Sequence, residues 1–270
     1  MVVQHNMQAM NSNRQLGITT SAQAKSTEKL SSGYKINRAG DDAAGLAISE
    51  KMRSQVRGLD RASTNAQDGI SLIQVAEGAL NETHSILQRM NQLATQAAND
   101  TNTSIDRSNI QQEIDSLTSE INRIQSTTQF NTMNLLDGSF SGKNLQVGSL
   151  SGQKIEIKIS NMNATTLGVG SLSMNSFSNA GAAMTKIQSA IDKVSTQRSY
   201  LGAIQNRLEH TIANLDTASE NTQAAESRIR DTDMAKDRVT YSKNTIRAQA
   251  GQSMLAQANQ STQGVLSLLG

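Results

Sequence analysis

The chain has 270 residues, a formal net charge of +2, no cysteine and no proline. The lack of cysteine excludes disulfides and thiolate metal sites, and the lack of proline leaves nothing to interrupt a long helix. Trp is absent and there are three Tyr and three Phe, so a compact core would lack its usual large fillers.

Acids and bases alternate along the chain, so no nucleic-acid patch stands out. No run is long and apolar enough for a membrane span, and the opening MVVQHNMQAMN lacks the apolar stretch of a secretory signal. The expected partners therefore include neither nucleic acid nor membrane, and export would use a route that does not read such a signal.

Residues 1–33 are rich in Gln, Asn, Ser and Met, with apolar residues spread thinly, and predict a helix of low intrinsic stability. Asn37–Gly45, NRAGDDAAG, breaks the pattern. Asp41 or Asp42 would cap the helix that follows by accepting a hydrogen bond from its unpaired N–H groups.

From Ala43 to about Ala98 the chain reads as helix. In sevens from Gly69, the a positions are Gly69, Ala76, Thr83, Met90 and Ala97. The d positions are Leu72, Ala79, Ile86 and Leu93, and the e positions Ile73, Leu80, Leu87 and Ala94. This stripe is wide enough to face a bundle, and it cannot remain unpacked in water. At a rise of ~1.5 Å per residue such a helix is a rod of roughly 80 Å. NDTNT (99–103) is a turn, and Ile110, Ile114, Leu117, Ile121 and Ile124 mark a second helix that folds back antiparallel.

Between Asn131 and about Asn179 the periodicity changes. NLQV and KIEIKIS read as two strands of a hairpin, with Ile155, Ile157 and Ile159 alternating with charged residues. A third long helix is predicted from about Ala182 to Arg230, with Ile187, Val194, Leu201, Leu208, Leu215, Thr222 and Ile229 in sevens. Ala248–Gly270 contains no charged residue and resembles the first segment in character.

The expected fold is mainly α: an elongated antiparallel helical bundle with a small β-hairpin, plus paired N- and C-terminal helices. Its domains are 1–42 with 231–270, 43–130 with 180–230, and a hairpin and loops at 131–179. The two ends carry apolar faces too small to offset an ordering cost of roughly 1–2 kcal/mol per residue, so they are expected to fold only when copies associate.

Several blocks resemble bacterial flagellin: KLSSGYKINRAGDDAAGLAISEKMRSQVRGL (29–59), NAQDGISLIQVAEGAL (65–80), LGAIQNRLEHTIANL (201–215), AAESRIRDTDMAK (224–236) and SMLAQANQ (253–260). The likeness covers roughly 1–135 and 180–270. The short middle lacks the large outer domains that many flagellins insert.

The resemblance implies a subunit of the bacterial flagellar filament that serves swimming motility outside the cell, exported unfolded by the flagellar type III apparatus. The implied partners are copies of itself, hook–filament junction and cap proteins, an export chaperone and the export apparatus. It further implies paired termini in an inner tube and helical arms around it. Subunit contacts are expected at Arg38, Asp41, Asp42, Met254, Leu255, Leu266 and Leu269. The family's site for the host innate flagellin receptor has the pattern Q-R-V-R-E-L-A-V-Q. The matching segment here is Gln88–Gln96, QRMNQLATQ, with Arg89 and Leu93 retained and Glu113 on the neighbouring helix. Asn91 and Gln92 replace a charged pair, so weakened binding is expected.

His5, His84 and His210 lack metal-ligand spacing and no HExxH occurs, so the expectation is no cofactor, no metal, no catalytic residue and no enzyme. Asp231 and Asp233 read as a helix boundary with local pairs to Arg228 and Arg230. A hook–filament junction protein and, more distantly, a signalling coiled coil are the competing readings. The unbroken DGISLIQ and ESRIRD blocks and the turn-rich insert weigh against both.

Overall fold

The computed structural model describes residues 5–269, with side chains through Ser261. Among them the elements are α1 (Met7–Ser32), α2 (Ala43–Ala97), α3 (Ser104–Thr127), β1 (Gln129–Phe130), β2 (Met133–Asn134), β3 (Lys143–Gln146), β4 (Lys154–Ile157), α4 (Ala164–Leu167), α5 (Phe177–Arg230) and α6 (Met234–Leu269). The chain divides into two compact units. One is built from the N-terminal part through Val56 together with the part from Glu220 onward; the other is Arg57–Ser219.

The 57–219 unit holds the large core. All five a positions and all four e positions of the α2 heptads are buried, with Leu72 and Leu93, while Ala79 and Ile86 are half-buried. The buried stripe thus centres between a and e, as a straight helix of 3.6 residues per turn requires. It meets Ile187, Ala190, Val194, Leu201, Ile204 and Leu208 of α5 and Ile110, Ile114 and Ile121 of α3 in one cluster. Ser63 Oγ donates to Asp216 (3.0 Å), Ser219 Oγ to Asp60 (2.7 Å), and Arg198 lies 3.6 Å from Glu77. These pairs run in opposite order along α2 and α5, so the two segments are antiparallel.

Thr103 starts α3 with a capping box, its hydroxyl and the Asp106 carboxylate satisfying each other's backbone N–H groups. Arg107 closes the end of α2, donating to the carbonyls of Ala97 (3.1 Å) and Asn99 (3.3 Å). The hairpin β3–β4 pairs Leu145 with Ile155, and Ile155, Ile157 and Ile159 are buried as their alternation predicts.

Two further elements have no counterpart in the sequence reading: the short hairpin β1–β2 and the single-turn α4, capped by Asn163. Helix α5 also starts earlier than expected, at Phe177, with Ser176 Oγ accepting from Asn179 N (3.2 Å). Irregular backbone between these elements is held by amide side chains. Gln111 donates to Leu172 O (3.0 Å) and accepts from Met174 N (2.9 Å), and Gln197 donates to Lys158 O (2.9 Å).

Candidate functional site

In the unit formed by the chain ends, α1 and α6 lie side by side and antiparallel. Asn6 caps α1 by accepting from Ala9 N and also donates to Ala258 O (2.9 Å); Gln23 donates to Thr245 Oγ1 (3.3 Å). A Cβ at Gly251 would stand 3.3 Å from Leu16 Cδ1, so the helices approach closely where no side chain intervenes. The seam is narrow. Among the described side chains of the two helices, Ser26, Asn244 and Ala258 are the buried ones.

The outward surface is unusual for a helix pair. Met7, Met10 and Ile18 of α1 and Val239, Ile246 and Met254 of α6 are 58–69% exposed. Exposed apolar side chains grouped in this way on one pair of helices are the kind of surface that commonly takes part in interactions. Leu255 is half-buried. The side chains of Leu266 and Leu269 lie outside the described residues.

The connectors organise this unit. Gly33, in the left-handed region (φ 76°), ends α1 and returns its N–H to Lys29 O. The chain then pairs with the segment after α5: Lys35 N donates to Arg230 O (2.7 Å) and Thr232 N to Gly33 O (2.9 Å). Arg230 lies 5.0 Å from the Tyr34 ring centroid and donates to Glu50 Oε1 (2.5 Å). It does not pair with Asp231, contrary to the expected local pair. Arg53 lies 3.5 Å from both Glu50 and Glu226, so acids and bases alternate through this cluster. Asp233 caps α6 by accepting from Lys236 N (3.0 Å).

Asp41 and Asp42 have separate tasks. Asp42 caps α2, accepting from Gly45 N at 2.8 Å. Asp41 instead fastens the connector to α1: it accepts from Asn37 N and Arg38 N and pairs with Lys25 Nζ at 2.8 Å. The Lys25 ammonium, with those backbone N–H groups, holds the Asp41 carboxyl down at about 2. Arg38 is exposed and donates to Glu28 of α1 at 3.0 Å.

On the other unit, Arg89 and Glu113 meet across α2 and α3. Both Nε (2.9 Å) and Nη2 (2.8 Å) donate to the same Glu113 oxygen, and both residues are exposed. Leu93 does not join them at the surface. It is 2% exposed and packs in the core, so it braces the helix beneath Arg89. Among the described residues no group of three or more His, Asp or Glu side chains could hold a metal ion, and no helix is long and apolar enough to cross a membrane.

Comparison with known proteins decides what this architecture is. Residues 3–141 match the bacterial flagellin N-terminal helical region, and residues 184–269 the bacterial flagellin C-terminal helical region. The chain belongs to the bacterial flagellin family. It is 55% identical to a flagellin of Halalkalibacterium halodurans over the whole of both chains. It is 53% identical to a flagellar filament 31.3 kDa core protein of Treponema maltophilum, again with 100% of each chain covered. The crystal structure of Bacillus cereus flagellin superposes on 56% of this chain and 88% of its own, with a TM-score of 0.51 and 32% identity. This flagellin is therefore a structural protein, a short-form subunit that self-assembles into the extracellular bacterial flagellar filament that drives swimming.

Sequence reasoning singled out Arg89 and Glu113, which meet here, and the Arg38–Asp42 segment, which forms the connector. It missed Tyr34 and Glu50 as partners of Arg230. An aromatic residue just after a helix stop and an Arg at a helix end were the visible signals, but nothing in the spacing joins residues 34, 50 and 230.

Proposed function

We propose that the subunit's assembly surface is the pair of terminal helices, completed by the same helices of neighbouring copies. The observation that carries this is the coincidence, in one helix pair, of a seam with few fully buried side chains and an outer surface bearing Met7, Met10, Ile18, Val239, Ile246 and Met254. Burying such residues is worth roughly 1.5–3 kcal/mol each, which a lone subunit forgoes. In this reading residues 1–42 and 231–270 form the inner-tube domain, 43–130 with 180–230 the helical arms, and 131–179 their β part. Met254, Leu255, Leu266 and Leu269 make subunit contacts, joined by Arg38. Asp41 and Asp42 shape the connector that presents it.

The decisive experiment is seeded elongation followed by electron microscopy. Met254→Asp should abolish growth on preformed filament ends while leaving the melt of the 57–219 unit unchanged. Growth at the rate of the parent protein would overturn the reading.

Export is proposed to proceed unfolded through the flagellar type III apparatus with a chaperone, a passage suited to a chain with no disulfide and no proline. Hook–filament junction and cap proteins then contact the ends of the polymer. No enzymatic role is assigned to this chain.

A second reading rests on the exposed Arg89–Glu113 pair. The host innate flagellin receptor is proposed to bind this face with reduced strength, Arg89 using guanidinium donors that Glu113 does not occupy. Titration against the receptor ectodomain should show micromolar-or-tighter binding. Arg89→Ala should weaken it by about tenfold or more, the scale of a lost charge-assisted hydrogen bond. An unchanged affinity in that variant would exclude this face.

A further inference from the structure

The α1–α6 seam is poorly equipped to set its own register. Ser26, Asn244 and Ala258 are its buried side chains, and Leu16, which lies against Gly251, is only half-buried, so a one-turn slip displaces little large side-chain packing. Its polar contacts, Asn6 to Ala258 O and Gln23 to Thr245, do not discriminate strongly either. Gln249, Gln252, Ser253 and Gln257 offer similar groups along α6.

The connectors carry the information that the seam lacks. Two backbone hydrogen bonds, Lys35 N to Arg230 O and Thr232 N to Gly33 O, join the residues that end α1 and precede α6. Gly33 follows α1 directly, and Thr232 stands two residues before α6. Helices pinned this close to a shared bridge cannot slide by a turn without breaking it.

The side chain that holds the bridge together is Arg230, which is 14% exposed. The last residue of α5, it lies over the Tyr34 ring of the facing connector and reaches Glu50 on α2. A planar guanidinium can face a ring and donate in its plane at once; a lysine ammonium cannot do both from one position.

We propose that Arg230 is a positioning residue for assembly: with Tyr34 and Glu50 it locks the connector bridge and so fixes the register in which α1 and α6 pair. This rests on the reading of the terminal helices as the assembly surface. The chemistry is a latch within the subunit whose effect appears in the polymer, where a slipped pair would present Val239, Ile246 and Met254 at the wrong height to the neighbouring copies.

The absence of cysteine makes the test clean. Gln23→Cys with Thr245→Cys reports the register seen here, and Gln23→Cys with Gln249→Cys reports a pair slipped by one turn. Each pair is placed in the parent chain and in Arg230→Ala, Arg230→Lys and Tyr34→Leu, and oxidised under seeded assembly conditions. In the parent, the first pair should cross-link within one chain and the second should not. In all three variants the ratio of slipped to in-register cross-link should rise about threefold, the scale of a cation–π contact at a partly exposed site, and elongation should slow.

An unchanged ratio overturns the proposal even if elongation slows, because Arg230 would then support growth without setting the register. Restoration of the parent ratio by Arg230→Lys also overturns it, since charge alone would then suffice. Met254→Asp separates the two ideas. If that variant elongates normally, the assembly surface itself is wrong. If it fails to elongate and the cross-link ratio does not move in the Arg230 variants, only the latch is wrong.

Discussion

Thr132 sits at the tip of the β1–β2 hairpin with φ 63°, next to Asn131 at φ 48°. Two positive φ values in a two-residue loop match the turn that suits a twisted hairpin, for which Asn-Gly is the favoured pair. Asn tolerates the left-handed region; a β-branched threonine does so at a cost of roughly 1–2 kcal/mol. Thr132→Gly should therefore stabilise the 57–219 unit by about 1 kcal/mol, raising the urea midpoint with the slope unchanged. A lowered midpoint would show that the threonine makes a compensating contact. The hairpin escaped sequence reading for the same reason: Asn-Thr is not a turn signal that composition alone reveals.

Asp41 gives a second residue-scale prediction. Its carboxyl is held at about 2 in the folded chain, below the ordinary aspartate value of 3.8. The group is depressed on folding, so its stabilising contribution is present above about pH 4 and is lost as pH falls toward 2. Carboxyl-carbon NMR titration of Asp41 should show the low midpoint, and Lys25→Met should return it toward the ordinary aspartate range. A midpoint that ignores Lys25 would mean that the ion pair does not hold the connector. NRAGDDAAG announced a cap, but only the fold separates Asp42, which caps α2, from Asp41, which ties the connector to α1.

At the scale of elements, the long helices were legible because apolar periodicity over many turns leaves little freedom. The heptad positions Ile187, Val194, Leu201, Leu208 and Leu215 are all buried in α5. The chain between the elements was not legible. Gln111 and Gln197 are polar residues within apolar helix patterns, and their use as clamps for irregular backbone at 172–174 and 158–160 has no periodic signature.

Two substitutions test this level. Leu208→Asp should unfold the 57–219 unit, since it removes burial worth about 1.5–3 kcal/mol and adds a desolvated charge; a melt like that of the parent would contradict the placement of α5. Gln111→Leu strands the carbonyl of Leu172 and the N–H of Met174. It should cost roughly 1–3 kcal/mol for each group left unpaired, read as a lower thermal midpoint of the same unit. An unchanged midpoint would show that the clamp contributes nothing.

For the whole molecule, the two units differ in what supports them. The 57–219 unit has a continuous core of Leu, Ile, Val and Met drawn from α2, α3, α5 and the β elements. The unit of the chain ends combines a narrow seam with many exposed apolar side chains. Deleting residues 248–270 should leave the melt of the first nearly intact and stop polymerisation; loss of the melt would mean that the core depends on the terminal helix.

The most direct measurement is amide hydrogen exchange along α1 and α6, taken on dilute monomer and on assembled filament. Backbone N–H groups in both helices should exchange rapidly in the monomer and become strongly protected in the filament, while α2 and α5 between residues 57 and 219 are protected in both. Equal and strong protection of α1 and α6 in the dilute monomer would contradict the idea that copies of the chain complete these helices.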